Sequence, residues 1–182
     1  MSKLVIDASV AKASGDPQAT HPTSAHCRDF LMAVQIFEHS IVMTSEIRNE
    51  WDKHQSRFAR QWLRRMIARK QLKPIADLPI DPELWTPIEK IAKGNNERAA
   101  MTKDILLLEA ALETDRRIVS LDENTARKYF TQAAKTIPKL QEIVWVNPDK
   151  PEETPIEWLK ADAPADDFRM LGYSKSLQKL KY

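Results

Sequence analysis

An α/β fold, with a parallel sheet covered by helices on both faces, is what this sequence predicts. Four short runs rich in Val and Ile, each too brief for a helix, alternate with longer segments of helical periodicity. Strands separated by helices pair in parallel and are buried on both faces. Two of the strand-like runs also end in an aspartate within two residues. With 182 residues, 42% of them hydrophobic and 30% charged, the chain has the material for one domain with a real core.

The elements follow in order. Lys3-Leu-Val-Ile6 is the first strand, closed by Asp7. A helix is expected over 25–38, a strand over Ser40-Ile-Val-Met43, and one long helix over 45–70. The helix over 81–93 has three boundary signals, namely Asp81 as N-cap, Pro82 in the first turn and Gly94 beyond its end. Another helix, over 102–114, takes Thr102 as its N-cap and so puts Asp104 in its first turn, where the helix dipole favours an ionised acid. A strand over 117–120 leads to Asp122, a helix follows over 123–134, and Glu142-Ile-Val-Trp-Val146 is the last strand.

Past Asn147-Pro148 the composition changes. Pro151, Pro155 and Pro164 accumulate, and residues 149–167 hold seven acids against Lys150 and Lys160. Residues 149–182 are therefore expected to extend a domain that spans 1–148. Trp158, Leu159, Phe168, Leu171 and Tyr173 give this extension the means to pack on its own domain or on another subunit.

Scarcity excludes several function classes. The glycines are Gly15, Gly94 and Gly172, too far apart for a phosphate-cradling loop. Cys27 is the sole cysteine, and His21, His26, His39 and His54 have no zinc-site spacing. Cys27 itself reads as a small buried hydrophobe, and Trp51, Trp62, Trp85 and Trp145 as core. No apolar run reaches the length of a membrane span, and the chain opens directly on a strand, so a cytoplasmic protein with no membrane partner is expected. Chemistry, by elimination, falls to carboxylates.

In an open parallel sheet, ligands bind beyond the carboxyl ends of the strands, which is where Asp7 and Asp122 fall. Several carboxylates there raise one another's pKa unless a hard cation with oxygen ligands neutralises them. Asp104 can join them from its helix. So can Glu46 or Glu50, four residues apart on one helical face after the second strand.

The set Val5-Ile-Asp-Ala-Ser9, Glu50, Asp104 followed by an apolar helix, and Ser120-Leu-Asp122 resembles the PIN-domain nucleases, which include the VapC-type ribonucleases. The resemblance covers about residues 3–146 in chain order, with 18 positions between Asp104 and Asp122. It implies a three-layer α/β/α domain with four to five short parallel strands. It also implies that Asp7, Glu50, Asp104 and Asp122 are catalytic acids holding Mg2+ or Mn2+, and that Ser9 and Ser120 orient them. Asn124 stands near where the family sometimes adds a further acid. The activity implied is metal-dependent endonucleolytic hydrolysis of RNA phosphodiesters, either as the toxin of a toxin–antitoxin pair, with a separate antitoxin as partner, or in RNA processing. Homodimers are common in the family. The chain is longer than a typical VapC toxin, both between Glu50 and Asp104 and after the last strand.

Residues 53–76 contain eight of the 28 basic residues and none of the 26 acids. Arg57, Arg60, Arg64, Arg65, Arg69 and Lys70 are the expected contacts to nucleic-acid phosphates, on the same helix as Glu50. Phe58, Trp62 and Met66 form a separate apolar stripe on it. The acids of the extension are an alternative, intramolecular partner for this basic run. Two rivals to the nuclease are a PIN-type RNA-binding or scaffold protein without turnover, and a receiver-type phosphotransfer protein. The latter requires an acid after a middle strand, where this chain has Thr44-Ser45.

Overall fold

The computed structural model describes residues 1–76, 78, 81–91 and 95–173, with side chains for all of these except 88–91 and 95–100. Its centre is one all-parallel sheet of five strands: β1 (Lys3–Ile6), β2 (Ser40–Met43), β3 (Leu72–Pro74), β4 (Arg117–Val119) and β5 (Val144–Val146). The spatial order is β3-β2-β1-β4-β5, with Lys3 opposite Ser40, Val5 opposite Ile118 and Ile118 opposite Trp145. Eight α-helices among the described residues connect and flank the strands, an arrangement consistent with three layers. Leu4, Val5, Ile41, Val42, Ile118, Val119 and Val144–Val146 are fully buried, as uninterrupted apolar runs must be when both sheet faces are covered.

Two elements escaped the sequence pattern. Helix α1 (Ala8–Ala13) is only six residues long, too short to display a period. Strand β3 has three residues and includes Lys73 and Pro74; proline is tolerated there because β3 lies at the sheet edge. Helix α2 (Pro22–Ile36) starts slightly earlier than expected, with Pro22 in its first turn.

The long helix expected over 45–70 is two helices, α3 (Ser45–His54) and α4 (Arg57–Ala68). Gln55 and Ser56 are extended, and Ser56 Oγ accepts from Ala59 N at 3.1 Å as the cap of α4. The Ser56 backbone N–H turns instead to the Ala11 carbonyl, 3.1 Å away. Glu50 and the basic run therefore belong to different helices. The apolar stripe of α4 is buried as expected, and Trp62 stacks on Trp51 with ring centroids 6.0 Å apart. Each such aromatic contributes roughly 1.5–3 kcal/mol by burial.

Helix α5 (Pro82–Ile91) has the expected cap, Asp81 Oδ1 accepting from Glu83 N at 2.9 Å, while Gly94 lies outside the described residues. Helix α6 (Asn95–Leu112) begins seven residues before Thr102, because Glu97, Arg98, Ala99, Ala100 and Met101 are good helix formers. Trp85 is half-buried, its indole N–H donating to the buried carboxylate of Glu109 at 2.7 Å, while the other three tryptophans named above are fully buried.

After β4 the chain makes a π-helical turn over Glu123–Arg127, with Arg127 N donating to the Asp122 carbonyl, and continues as α7 (Lys128–Ala133). Beyond β5, α8 (Pro155–Lys160) buries Trp158 and Leu159, and the Leu159 carbonyl lies 2.8 Å from His39 Nε2. Met170 makes an antiparallel bridge to Val144. Leu171 is buried and Phe168 is exposed.

Trp51 fixes α3 against the sheet. Its indole N–H donates to the Ile6 carbonyl at 2.8 Å, with both residues buried. In Trp51→Phe the carbonyl loses this partner while most of the ring is kept, so urea unfolding should register a loss of about 1–3 kcal/mol. An unchanged midpoint would mean that the bond makes no net contribution.

Candidate functional site

The strand order creates the site. From β1 the chain builds outward through β2 and β3 on one side, then returns to add β4 and β5 on the other. The crevice between the carboxyl ends of β1 and β4 is a topological switch point, where side chains can reach a ligand without a strand crossing above it. Asp7 follows β1 directly, and Asp122 lies three residues beyond β4. A cavity of about 330 Å³ opens there, lined among others by Asp7, Glu46, Glu50, Lys103, Asp104 and Asp122.

Asp7 is held from two sides. Ser9 Oγ and Ser120 Oγ both donate to Asp7 Oδ2, the latter at 2.9 Å. The same hydroxyls accept from backbone, Ser9 from Leu121 N at 3.3 Å and Ser120 from Asp122 N at 3.1 Å. The two serines thus bind the end of β1 to the loop that carries Asp122. Asp122 Oδ1 accepts from Thr125 N at 2.9 Å. In both aspartates one oxygen is committed to the protein, and the other has no hydrogen-bond partner among the described residues.

Asp104 corrects the sequence expectation. It sits ten residues into α6, so the helix terminus that was to favour its charge is far away. Burial first, then the like charges of Asp7 and Asp122, push its carboxyl up to about 7, against a smaller opposing pull from Lys103. Ionising it is costly, not cheap.

Glu50 is engaged elsewhere. Lys103 Nζ is 2.7 Å from its Oε2 and Lys53 Nζ is 3.0 Å from its Oε1, with His54 Nε2 at 3.6 Å from Oε2. The Lys103 hydrogen bond, opposed by partial burial and aided by Lys53, holds the Glu50 carboxyl below the usual range. Glu46 also lines the cavity, from the first turn of α3, and has no partner among the described residues. Asn124 is exposed on the π-helical turn and is absent from the cavity lining.

The donor set is all oxygen, and the repulsion on Asp104 calls for a proton or a cation; both facts suit a hard divalent ion. As the side chains stand, no group of three or more Asp, Glu, His or Cys among the described residues is disposed to hold one.

The basic face is free. Arg57, Arg60, Arg64 and Arg65 on α4, with Arg69 and Lys70 after it, are exposed and form no ion pair with any described residue. The extension's acids do not screen this face. Asp149 faces His26 and Thr23, Glu153 faces Arg127, Asp162 faces the N-terminus and Asp166 faces Arg169. Cys27 is buried, and burial, then Asp149, pushes its thiol up to about 12, so it is no nucleophile.

Sequence reasoning missed Lys103 and Glu109. Lys103 adjoins Asp104, but only the packing of α3 beside α6 brings it to Glu50. Glu109 lies inside an apolar helical run, and its acceptor role depends on Trp85 and the Asp81 N–H at 3.1 Å.

Because folded Asp104 has its pKa above the unfolded value of 3.8, the native state binds more protons than the unfolded one between about pH 4 and 7. Stability of the metal-free protein should fall as pH rises through that window and level off above it. Asp104→Asn removes the penalty, so melting in EDTA should find it above wild type by roughly 4–8 °C at pH 8, with the gap closing by pH 4. A gap independent of pH would sink this account of Asp104. Comparison with family models, with curated proteins and with solved structures finds no match to this chain.

Proposed function

We propose that the chain is a PIN-type nuclease that hydrolyses RNA phosphodiester bonds with the help of Mg2+ or Mn2+. The observation that supports this above all is the meeting of Asp7, Asp104 and Asp122 at the switch-point crevice, close enough to raise the protonation of Asp104. A divalent ion there would take the free oxygens of Asp7 and Asp122 and the carboxylate of Asp104, with Glu46 or Glu50 at the rim. When bound, it supplies neutralisation of the phosphodiester and acidification of water.

The chain's own groups have separable tasks. Ser9 and Ser120 fix the Asp7 carboxylate through Oδ2 and leave its other oxygen uncommitted, at a residue that lines the crevice. Asp104 gives up its proton when positive charge enters. The exposed cations of α4 attract the substrate backbone without regard to sequence.

The engagement of Glu50 by Lys103 and Lys53 favours a second function, RNA binding without turnover. A labelled structured RNA, incubated with wild type and Asp104→Asn in manganese, magnesium or EDTA, separates the two. The nuclease cuts only with metal, and Asp104→Asn cuts at background. A protein that retards RNA in a gel but never shortens it is the binder. Ser120→Ala, which frees Asp7 on one side, should lower metal affinity or cleavage about 10–100-fold. Replacing Arg60 and Arg64 together with Gln should weaken RNA binding and reduce the slope of log affinity against log salt by about 1–2.

A further inference from the structure

We propose that Lys103 is the phosphate-binding cation of the crevice, kept on Glu50 until a phosphodiester takes it over. This rests on the nuclease assignment of the same site. The acids on the crevice wall attract a cation but repel an anionic substrate, so hydrolysis of a phosphodiester needs positive charge at the mouth. Lys103 is the one cationic side chain among the described residues that line the cavity.

Its surroundings suit a transferable charge. Lys103 is 53% exposed and Glu50 20%, so the ammonium stands at the rim while its partner sits deeper. Lys53 binds the other oxygen of Glu50 at 3.0 Å, so the carboxylate stays paired when Lys103 leaves. Two ammonium groups share the one carboxylate of Glu50, so the charge of Lys103 is not fully spent on that pair, whatever the state of His54. A solvent-exposed pair of this kind holds its partners weakly. The Lys103 charge is also felt by its neighbour Asp104 inside the crevice. An ammonium on a flexible stem, with three donors, takes a phosphate oxygen as a point charge.

The test uses one phosphodiester, too short to span to α4: a dinucleoside phosphorothioate, titrated by NMR against the full-length protein in EDTA. Lys103→Gln should bind about 3–10-fold more weakly than wild type, with a salt slope smaller by about one ion, and Lys103→Arg should recover the slope. Glu50→Gln, which releases the ammonium, should bind more tightly than wild type. The melting temperature of each variant confirms that it folds. Equal affinity and equal salt slope in wild type and Lys103→Gln would overturn the proposal, as would weaker binding by Glu50→Gln or no binding by wild type. Metal-dependent cleavage of RNA by wild type alongside such a result would reject Lys103 alone. Absence of any cleavage would reject the nuclease.

Discussion

The peptide unit that joins Ile6 to Asp7 is tied in two directions. Its carbonyl receives the Trp51 indole from α3, and its N–H donates to the Val119 carbonyl of β4 at 2.9 Å. The next atoms outward, the Asp7 carboxylate, take hydroxyls from α1 and from the end of β4. Strand β1 is buried and flanked on both edges, so it cannot adjust to its neighbours. Helix α3, the loop after β4 and the start of α1 must therefore all conform to its last two residues. The crevice inherits its shape from this one junction, which is why a carboxylate at position 7 is held to a single orientation while Glu50, on α3, is shared between Lys53 and Lys103.

How much of this was legible depended on whether local pattern or distant packing decided the outcome. Strands β1, β2, β4 and β5 were readable because burial on both faces forces unbroken Val and Ile runs. The alternation of strand and helix then fixed parallel pairing. The break between α3 and α4 was written in Ser56, a good cap, but the periodicity of the flanking apolar residues runs through it almost undisturbed. Asp104 was misplaced for a related reason. Thr102 resembles a cap, yet the Ala, Arg and Glu residues before it prefer to continue the helix, and nothing in the pattern announces where α6 begins.

The site divides along the same line. Asp7 and Asp122 could be found because the end of a strand is a local feature and the switch point follows from topology. That Ser9 and Ser120 orient an acid was implied by the resemblance alone; position beside the strand ends does not say which carboxylate they bond. The pairing of Lys103 with Glu50 spans 53 positions and exists only because α6 packs beside α3. No period or motif carries such information. The acids of the extension were only an alternative partner for the basic run, suggested by opposite net charge. Asp149, Asp162 and Asp166 instead found nearer partners, and Glu153 joined Arg127, Glu123 and Lys150 in a network that binds the extension to the turn after Asp122. Burial opposes the ionisation of Glu123, but Lys150 and Arg127 outweigh it and hold that carboxyl below its ordinary range.

The position of Asp104 within its helix has a chemical meaning. At a helix start, backbone N–H groups and the dipole would stabilise the carboxylate in all conditions, and its charge would be permanent. Ten residues along, with two other aspartates nearby, Asp104 lacks that support, and its ionisation depends on what shares the crevice. A carboxyl poised near neutrality would lose its proton on the arrival of a cation, so binding and ionisation would be coupled. The neighbouring Lys103 responds to an arriving anion in the opposite sense. One turn of α6 thus presents to the crevice a group that gains negative charge when a cation enters and a group whose positive charge is lightly held. Those are the two responses that the proposed cleavage of a phosphodiester with a metal ion would ask of the crevice.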